Sequence, residues 1–394
     1  MGYIIHFLVV PEFIEGLRGN LFFKEGICYN TSMTTKTVYL GGKGVTKRIA
    51  IGGGAPVSVQ TMWKEGITDL ATDNVKLDRI LRELNELSMI GCDIVRFAVP
   101  DMESAAGLCL LAEHTSMPLV ADIHFDYKLA LECLKGNVAA IRINPGNIGS
   151  VDNTKIVVEA CRENGVAIRI GINSGSLPKD LQEAVAAGKI PRAQGLCETA
   201  AREAAIFEDL KFDQYVVSMK SSDVNETIQC NRFYAEKYNN PLHLGVTEAG
   251  PLIGGIVKSS IAFSTLLNQG IGDTIRVSLS SSPENEVVAG INILKECGKR
   301  NGGVKLVSCP RCGRIGFDVH AFVDRWQNRL LAMKKDITVA VMGCVVNGPG
   351  EGRHADIGIA GTADKAIIFK KGKIVRTINA KDADKVFEEE LKTL

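Results

Sequence analysis

Eight short β-rich runs, separated by helical text at a fairly regular interval, constrain this chain more than any other feature. They fall at 57–61, 94–99, 119–123, 140–144, 167–172, 214–219, 242–246 and 274–279. Between them apolar residues recur at spacings of three and four, as in Val75, Leu77, Ile80, Leu81, Leu84 and Leu87. That is the pattern of amphipathic crossover helices in parallel βαβ units. Eight such repeats in about 245 residues match a (β/α)8 TIM barrel. A doubly wound open sheet is the alternative, because periodicity alone does not show closure.

A chain of 394 residues exceeds what one core usually supports, so a second domain is expected. The text changes at Asn301, Gly302 and Gly303. Beyond that junction come strand-like 304–307, helix-like 319–333, a strand at 338–342, short segments at 357–359 and 366–369, and a charged helix at 381–394. The predicted organisation is an extension at 1–32, a barrel at 33–300 and a smaller α/β (α+β) domain at 301–394. The apolar run at 3–10 is too short to span a bilayer and is broken by Pro11, Glu12 and Glu15. With no basic region before it and no small-residue cleavage site after it, it does not read as a signal peptide, and no membrane partner is expected. It reads as an upstream-start extension, poorly ordered or lying on the surface.

Charges nearly cancel, 46 basic against 45 acidic, which argues against the overall positive field of a non-specific nucleic-acid binder. Any anion binding must be local. The eleven cysteines are too sparse for a disulfide scaffold, and their odd number fits a reducing, cytoplasmic setting. Cys92, Cys109, Cys133, Cys161, Cys197, Cys230 and Cys297 sit singly in apolar text and read as small core hydrophobes.

The strand-like runs end in polar and charged residues: Arg96, Asp122 with His124, Arg142 with Asn144, Arg169 with Asn173, Lys220 with Ser221 and Asp223, His243 with Thr247 and Glu248, and Arg276 with Ser278 and Ser280. In a parallel barrel, chemistry gathers at these C-terminal strand ends. Any one of these cations is equally well read as half of a structural ion pair. Four arginines and a lysine ending five strands fit a small, multiply charged anion, most simply a phosphate or diphosphate ester, because guanidinium forks match phosphate oxygens.

Near the junction, Cys309-Pro310-Arg311-Cys312 is followed by Cys344 and then Glu351. A Cys-x-x-Cys pair brings two thiolates to one centre, and a third cysteine from another loop closes it. A structural zinc site would need His320 or His354 as a fourth ligand. A redox dithiol leaves Cys344 unexplained, and unrelated buried cysteines are the plainest alternative. The favoured reading is a three-cysteine iron–sulfur cluster with an exchangeable fourth ligand, since the glycines and proline of 343–351 make a turn suited to aiming Cys344 and Glu351 at one centre.

Several longer motifs resemble the 4-hydroxy-3-methylbut-2-enyl diphosphate synthases of the methylerythritol phosphate route to isoprenoids. They are VADIHFDY at 120–127, RINPGNIG at 142–149, RIGINSGSL at 169–177, HLGVTEAG at 243–250 and GIGDTIRVSL at 270–279, together with the cysteine motifs. The similarity runs over roughly 37–361. It implies a [4Fe–4S] enzyme that opens and deoxygenates 2-C-methyl-D-erythritol 2,4-cyclodiphosphate to the linear allylic diphosphate, using two electrons from flavodoxin or ferredoxin. It implies a homodimer in which the cluster domain of one subunit caps the barrel of the other.

Carried over motif by motif, the cluster ligands would be Cys309, Cys312, Cys344 and Glu351, with Asn347 beside them. Arg96, Arg142, Arg169, Lys220 and Arg276 would hold the diphosphate with Asn144, Asn173 and Ser278. Asp122 and Glu248 would be acid–base or orienting carboxylates, and Glu351 would share in catalysis. One departure is Trp63-Lys64-Glu65-Gly66, where the family commonly shows a Thr- and Asn-rich loop. That departure puts any substrate contact from this loop in doubt; Lys64 is expected to be a solvated loop lysine, with a substitute cation for the substrate as the alternative. A phosphate-ester-binding barrel with a structural zinc appendage, acting as a lyase or binding module, is the rival function, and a nucleic-acid-modifying iron–sulfur enzyme finds little support.

Overall fold

The computed structural model describes residues 34–310, 316–333, 335–344 and 348–394, and of Glu351 the backbone alone. The chain opens with an antiparallel pair, β1 (Val38–Leu40) and β2 (Ile49–Ile51). Eight strands follow: β3 (Ser58–Met62), β4 (Ile94–Val99), β5 (Leu119–Ile123), β6 (Ala140–Ile143), β7 (Ala167–Asn173), β8 (Tyr215–Lys220), β9 (His243–Gly245) and β10 (Thr274–Arg276). Each pairs in parallel with its sequence neighbour from β3 to β8, and β10 lies between β9 and β3. A parallel bridge from Val217 to Leu242, with the Val217 N–H on the Pro241 carbonyl at 2.9 Å, joins β8 to β9. The strands therefore form a closed (β/α)8 barrel, which settles the alternative that periodicity leaves open. β10 is three residues shorter than its β-rich text, because the chain leaves the ladder there and the Ser280 N–H bonds the Gly250 carbonyl at 3.0 Å.

Short capping residues start the crossover helices soon after the strands end. Asp73 accepts the Lys76 N–H at 2.9 Å at the head of the helix Asn74–Met89, and Asp101, Asp126, Ser150 and Asp223 cap four later helices in the same way. Such caps satisfy backbone donors that the helix itself cannot. In Asn74–Met89 the buried stripe is Ile80, Leu84 and Leu87, whereas Val75, in the first turn, points to solvent.

The β1–β2 pair, whose three-residue strands are too short to read from sequence, packs Val38, Leu40 and Ile51 against Ile94, Val120, Ala140, Ala167 and Val216. This apolar plug closes the N-terminal end of the barrel and leaves the C-terminal end as its mouth. Cys92, Cys133, Cys161, Cys197 and Cys230 are buried, as expected of small core residues, and burial pushes the Cys161 thiol up to about 12.

A second sheet runs β11 (Lys305–Ser308), β12 (Thr338–Met342), β13 (Ile357–Gly361), β14 (Lys365–Lys370) and β15 (Lys373–Asn379) in spatial order. The first three are parallel and the last two antiparallel. The helices Val319–Leu331 and Ala383–Lys392 bury Phe322, Trp326 and Leu330 together with Phe387 and Leu391 against this sheet, and Trp326 meets Phe387 edge-on at 5.0 Å. β15 escapes a sequence reading because it is an edge strand exposed on both faces, with Lys373 and Arg376 interrupting its apolar residues.

Candidate active site

Parallel strands stack their inward-facing residues in rings toward the C-terminal end. Arg96 on β4, Asp122 on β5, Arg142 on β6, Arg169 on β7, Lys220 on β8 and Arg276 on β10 are all buried at the mouth. Together with Asn173 and Ser278 they line one cavity of about 120 Å³. Asn144 does not line it and donates to Ser176 Oγ at 3.0 Å. Glu248 does not join the ring. It is exposed in the loop after β9, in a left-handed backbone conformation (φ 51°) that a glutamate seldom adopts. Asn347 and Cys312 lie outside the described residues, as does the side chain of Glu351.

The ring is strongly cationic. Asp122 bridges two of its members, with Oδ2 3.3 Å from Arg96 Nε and Oδ1 2.9 Å from Arg142 Nη1. Burial opposes ionisation of Asp122, but Arg96, His124 and Arg142 outweigh it and hold the carboxyl well below its usual range. Arg142 also donates to the Gly171 carbonyl at 3.1 Å. Arg169 donates to Gln60 Oε1 at 2.7 Å, while its Nε and Nη2 have no partner among the described residues. No carboxylate lies within ion-pair distance of Arg169 or Lys220 among those residues.

Five buried basic groups thus face two buried carboxylates, Asp122 and Glu286, an excess of three basic groups. The excess registers on the groups themselves. Burial, then Arg276 and Arg142, bring Arg96 down to about 10. Burial, then Arg169 and Arg96, hold Lys220 well below its usual range. Buried charge of one sign is costly unless an anion neutralises it.

Two strand glycines make room for these side chains. A Cβ on Gly171 would lie 2.3 Å from Arg142 Nε, and one on Gly245 would lie 2.8 Å from Lys220 Cε. Their role follows from close approach, one of the few reasons for glycine inside a strand.

Two sequence expectations change. His243 is the first residue of β9, not a strand-end group; it is fully buried, neither ring nitrogen has a partner among the described residues, and burial followed by Lys220 and Arg169 keeps it neutral. Lys64 is not a solvated loop lysine, for its Nζ lies 2.6 Å from Glu286 Oε1. The reason is packing: Trp63, stacked on Phe97 at 5.5 Å, anchors the loop, and Glu286 is a fully buried acceptor. Glu286 escapes a sequence reading, because PENEVV reads as an ordinary acidic first helical turn. The clue available in sequence was its place directly after the β10 loop.

In the second sheet, Cys309 directly follows β11 and Cys344 lies two residues beyond β12, so adjacent parallel strands bring both cysteines to the same end of the sheet. The Gly343 N–H donates to Cys309 Sγ at 3.2 Å. Both cysteines are half-buried and free of disulfides. After Cys344 the chain enters the short helix Gly348–Glu351, whose Gly348 N–H bonds the Cys344 carbonyl at 3.1 Å.

The chain matches the GcpE TIM-barrel domain over residues 43–291 and the GcpE protein C-terminal domain over residues 305–393. It belongs to the GcpE family. Among GcpE relatives, a Treponema denticola protein named 4-hydroxy-3-methylbut-2-en-1-yl diphosphate synthase (flavodoxin) is 55% identical over 391 residues, covering 93% of this chain and 100% of its own length. The Treponema pallidum protein of that name is 55% identical over 375 residues, covering 91% and 92%. One from Thermodesulfovibrio yellowstonii is 44% identical over 358 residues, covering 91% and 98%. Both GcpE domains are thus present, one bearing the cationic mouth and the other the paired cysteine loops.

Proposed function

We propose that this chain converts 2-C-methyl-D-erythritol 2,4-cyclodiphosphate to 4-hydroxy-3-methylbut-2-enyl diphosphate by two-electron reductive ring opening and deoxygenation. The observation that carries the proposal is the excess buried positive charge at the mouth of a closed barrel, in a GcpE family member. A diphosphate supplies the missing anion. In this reading Arg96, Arg142, Arg169, Lys220 and Arg276 hold its oxygens, assisted by Asn144, Asn173 and Ser278. As the ring oxygen leaves carbon and charge gathers on the phosphate, guanidinium groups already in place stabilise it without reorganising.

Asp122, kept ionised by Arg96 and Arg142, orients those two arginines. Glu248, on the loop after β9, would bring a proton to the departing oxygen. The proposed cluster ligands are Cys309, Cys312, Cys344 and Glu351, with Asn347 beside them. The donor set suits such a centre, since Cys309 and Cys344 follow neighbouring parallel strands and Cys309 Sγ accepts a backbone N–H. A [4Fe–4S] cluster would supply electrons singly and a Lewis-acidic iron for a substrate oxygen.

The proposed organisation places substrate binding in 33–300, the cluster in 301–394 and an extension in 1–32. Flavodoxin or ferredoxin would deliver the electrons, to a cytoplasmic homodimer. Among the described residues no helix is long and apolar enough to cross a membrane. The test is turnover: protein purified without oxygen, given the cyclic diphosphate and a reduced viologen, should release the linear diphosphate. A well-folded protein that binds the cyclic compound and never reduces it would move the function to a non-redox lyase or binding module.

A further inference from the structure

Glu286, on the helix Pro283–Glu296 that follows β10, is completely buried and collects five hydrogen bonds. Its Oε1 accepts from Lys64 Nζ at 2.6 Å, the Leu279 N–H at 3.0 Å and Arg276 Nη2 at 3.1 Å. Its Oε2 accepts from Thr61 Oγ1 at 2.8 Å and Arg276 Nε at 3.2 Å. Lys64 Nζ also reaches the Leu279 carbonyl at 3.2 Å. Of these groups only Arg276 lines the mouth cavity.

The loop that brings Lys64 here is fixed on both sides. The Trp63 N–H bonds the Arg96 carbonyl at 2.9 Å, and its ring stacks on Phe97. An exposed lysine pair usually contributes little, but this acceptor is wholly buried, where a charge-assisted bond is strong. The electrostatic consequence concerns Arg276. A carboxylate paired with Arg276 alone would cancel its charge toward any ligand. A carboxylate shared with Lys64 leaves the cluster of Arg276, Lys64 and Glu286 with one net positive charge, delivered to the cavity through the guanidinium.

We propose that Lys64 and Glu286 are a positioning pair that fixes the orientation of Arg276 and preserves its charge, so that affinity for a diphosphate depends on Lys64, which touches no ligand. The inference rests on the reading of the barrel mouth as a diphosphate site.

The experiment uses anaerobically purified holoprotein and three variants, Lys64→Met, Lys64→Arg and Lys64→Gln, each checked for iron content. It measures KM and kcat for the cyclic diphosphate with a reduced viologen, and the Kd of inorganic diphosphate at low and high salt by calorimetry. Lys64→Met and Lys64→Gln are expected to raise KM and Kd about tenfold, with kcat within about threefold and a flatter salt dependence, as for loss of a charge acting at a distance. Lys64→Arg should restore both within about threefold, because it keeps the charge on Glu286. Unchanged KM and Kd in the Met and Gln variants, or a fall in kcat alone, would overturn the proposal while wild-type diphosphate binding left the site itself standing. A wild type that neither binds diphosphate nor turns over the cyclic compound would remove the site and the positioning pair together.

Discussion

Replacing Arg169 by Met separates the cost of the cationic ring from its use. In the ligand-free protein Arg169 makes one bond, to Gln60, and leaves Nε and Nη2 unpartnered among the described residues, beside Arg96 and Arg142. Losing the charge-assisted bond to Gln60 costs about 1.5–3 kcal/mol. Removing two buried unpaired donors returns about 1–3 kcal/mol each, and relief of like-charge repulsion adds to that. Arg169→Met should therefore leave the ligand-free protein as stable as the wild type or more so. Diphosphate binding should weaken by about 2–5 kcal/mol, or roughly 30- to 5000-fold, the scale for truncating one partner of a desolvated charge pair. Thermal unfolding without ligand and calorimetric titration with inorganic diphosphate read the two effects separately. A marked loss of stability with unchanged affinity would refute the charge-excess argument.

Lys220 predicts a pH effect of definite sign. Its ammonium is held well below the usual lysine range in the free protein, by burial and then by Arg169 and Arg96, and a bound anion moves it back up. Diphosphate binding should therefore take up protons, and affinity should fall as pH rises from the lowered value of the free protein toward the restored value of the complex. Calorimetry in two buffers of different ionisation enthalpy measures this, and proton release would contradict it. Gly171→Ala puts a methyl group 2.3 Å from Arg142 Nε, so kcat/KM should fall at least about 100-fold while iron content holds, and unchanged kinetics would show that Arg142 is not needed where it stands. Cys344→Ser should lower iron and abolish turnover, whereas Cys161→Ser, deep in the helix Val151–Asn164, should do neither. Equal iron in both variants would remove Cys344 from the metal site.

The barrel and its cationic mouth were legible for a physical reason. Arg142 and Arg169 interrupt Val/Ile-rich text buried on both faces, and a charge in such a place needs a partner. Parallel pairing then carries successive strand ends to one rim without further information. The details that shape the rim were not legible, because they depend on contacts between residues far apart in the chain. Glu286 meets Lys64 across more than two hundred residues. Gly171 and Gly245 matter only once Arg142 and Lys220 lean over them. Glu248 carries its family motif intact, yet it stands exposed in the loop after β9 and does not line the cavity. His243 looks like a strand-end polar residue until the ladder shows β9 beginning there.

The proposed iron–sulfur cluster of this GcpE-family chain would be held by Cys309, Cys312, Cys344 and Glu351. It is tested most directly by iron and acid-labile sulfide per chain in protein purified without oxygen, with the visible spectrum taken before and after exposure to air. Roughly four of each and a brown absorption that bleaches in air are expected. Stoichiometric zinc in a colourless protein that behaves the same in air would contradict it.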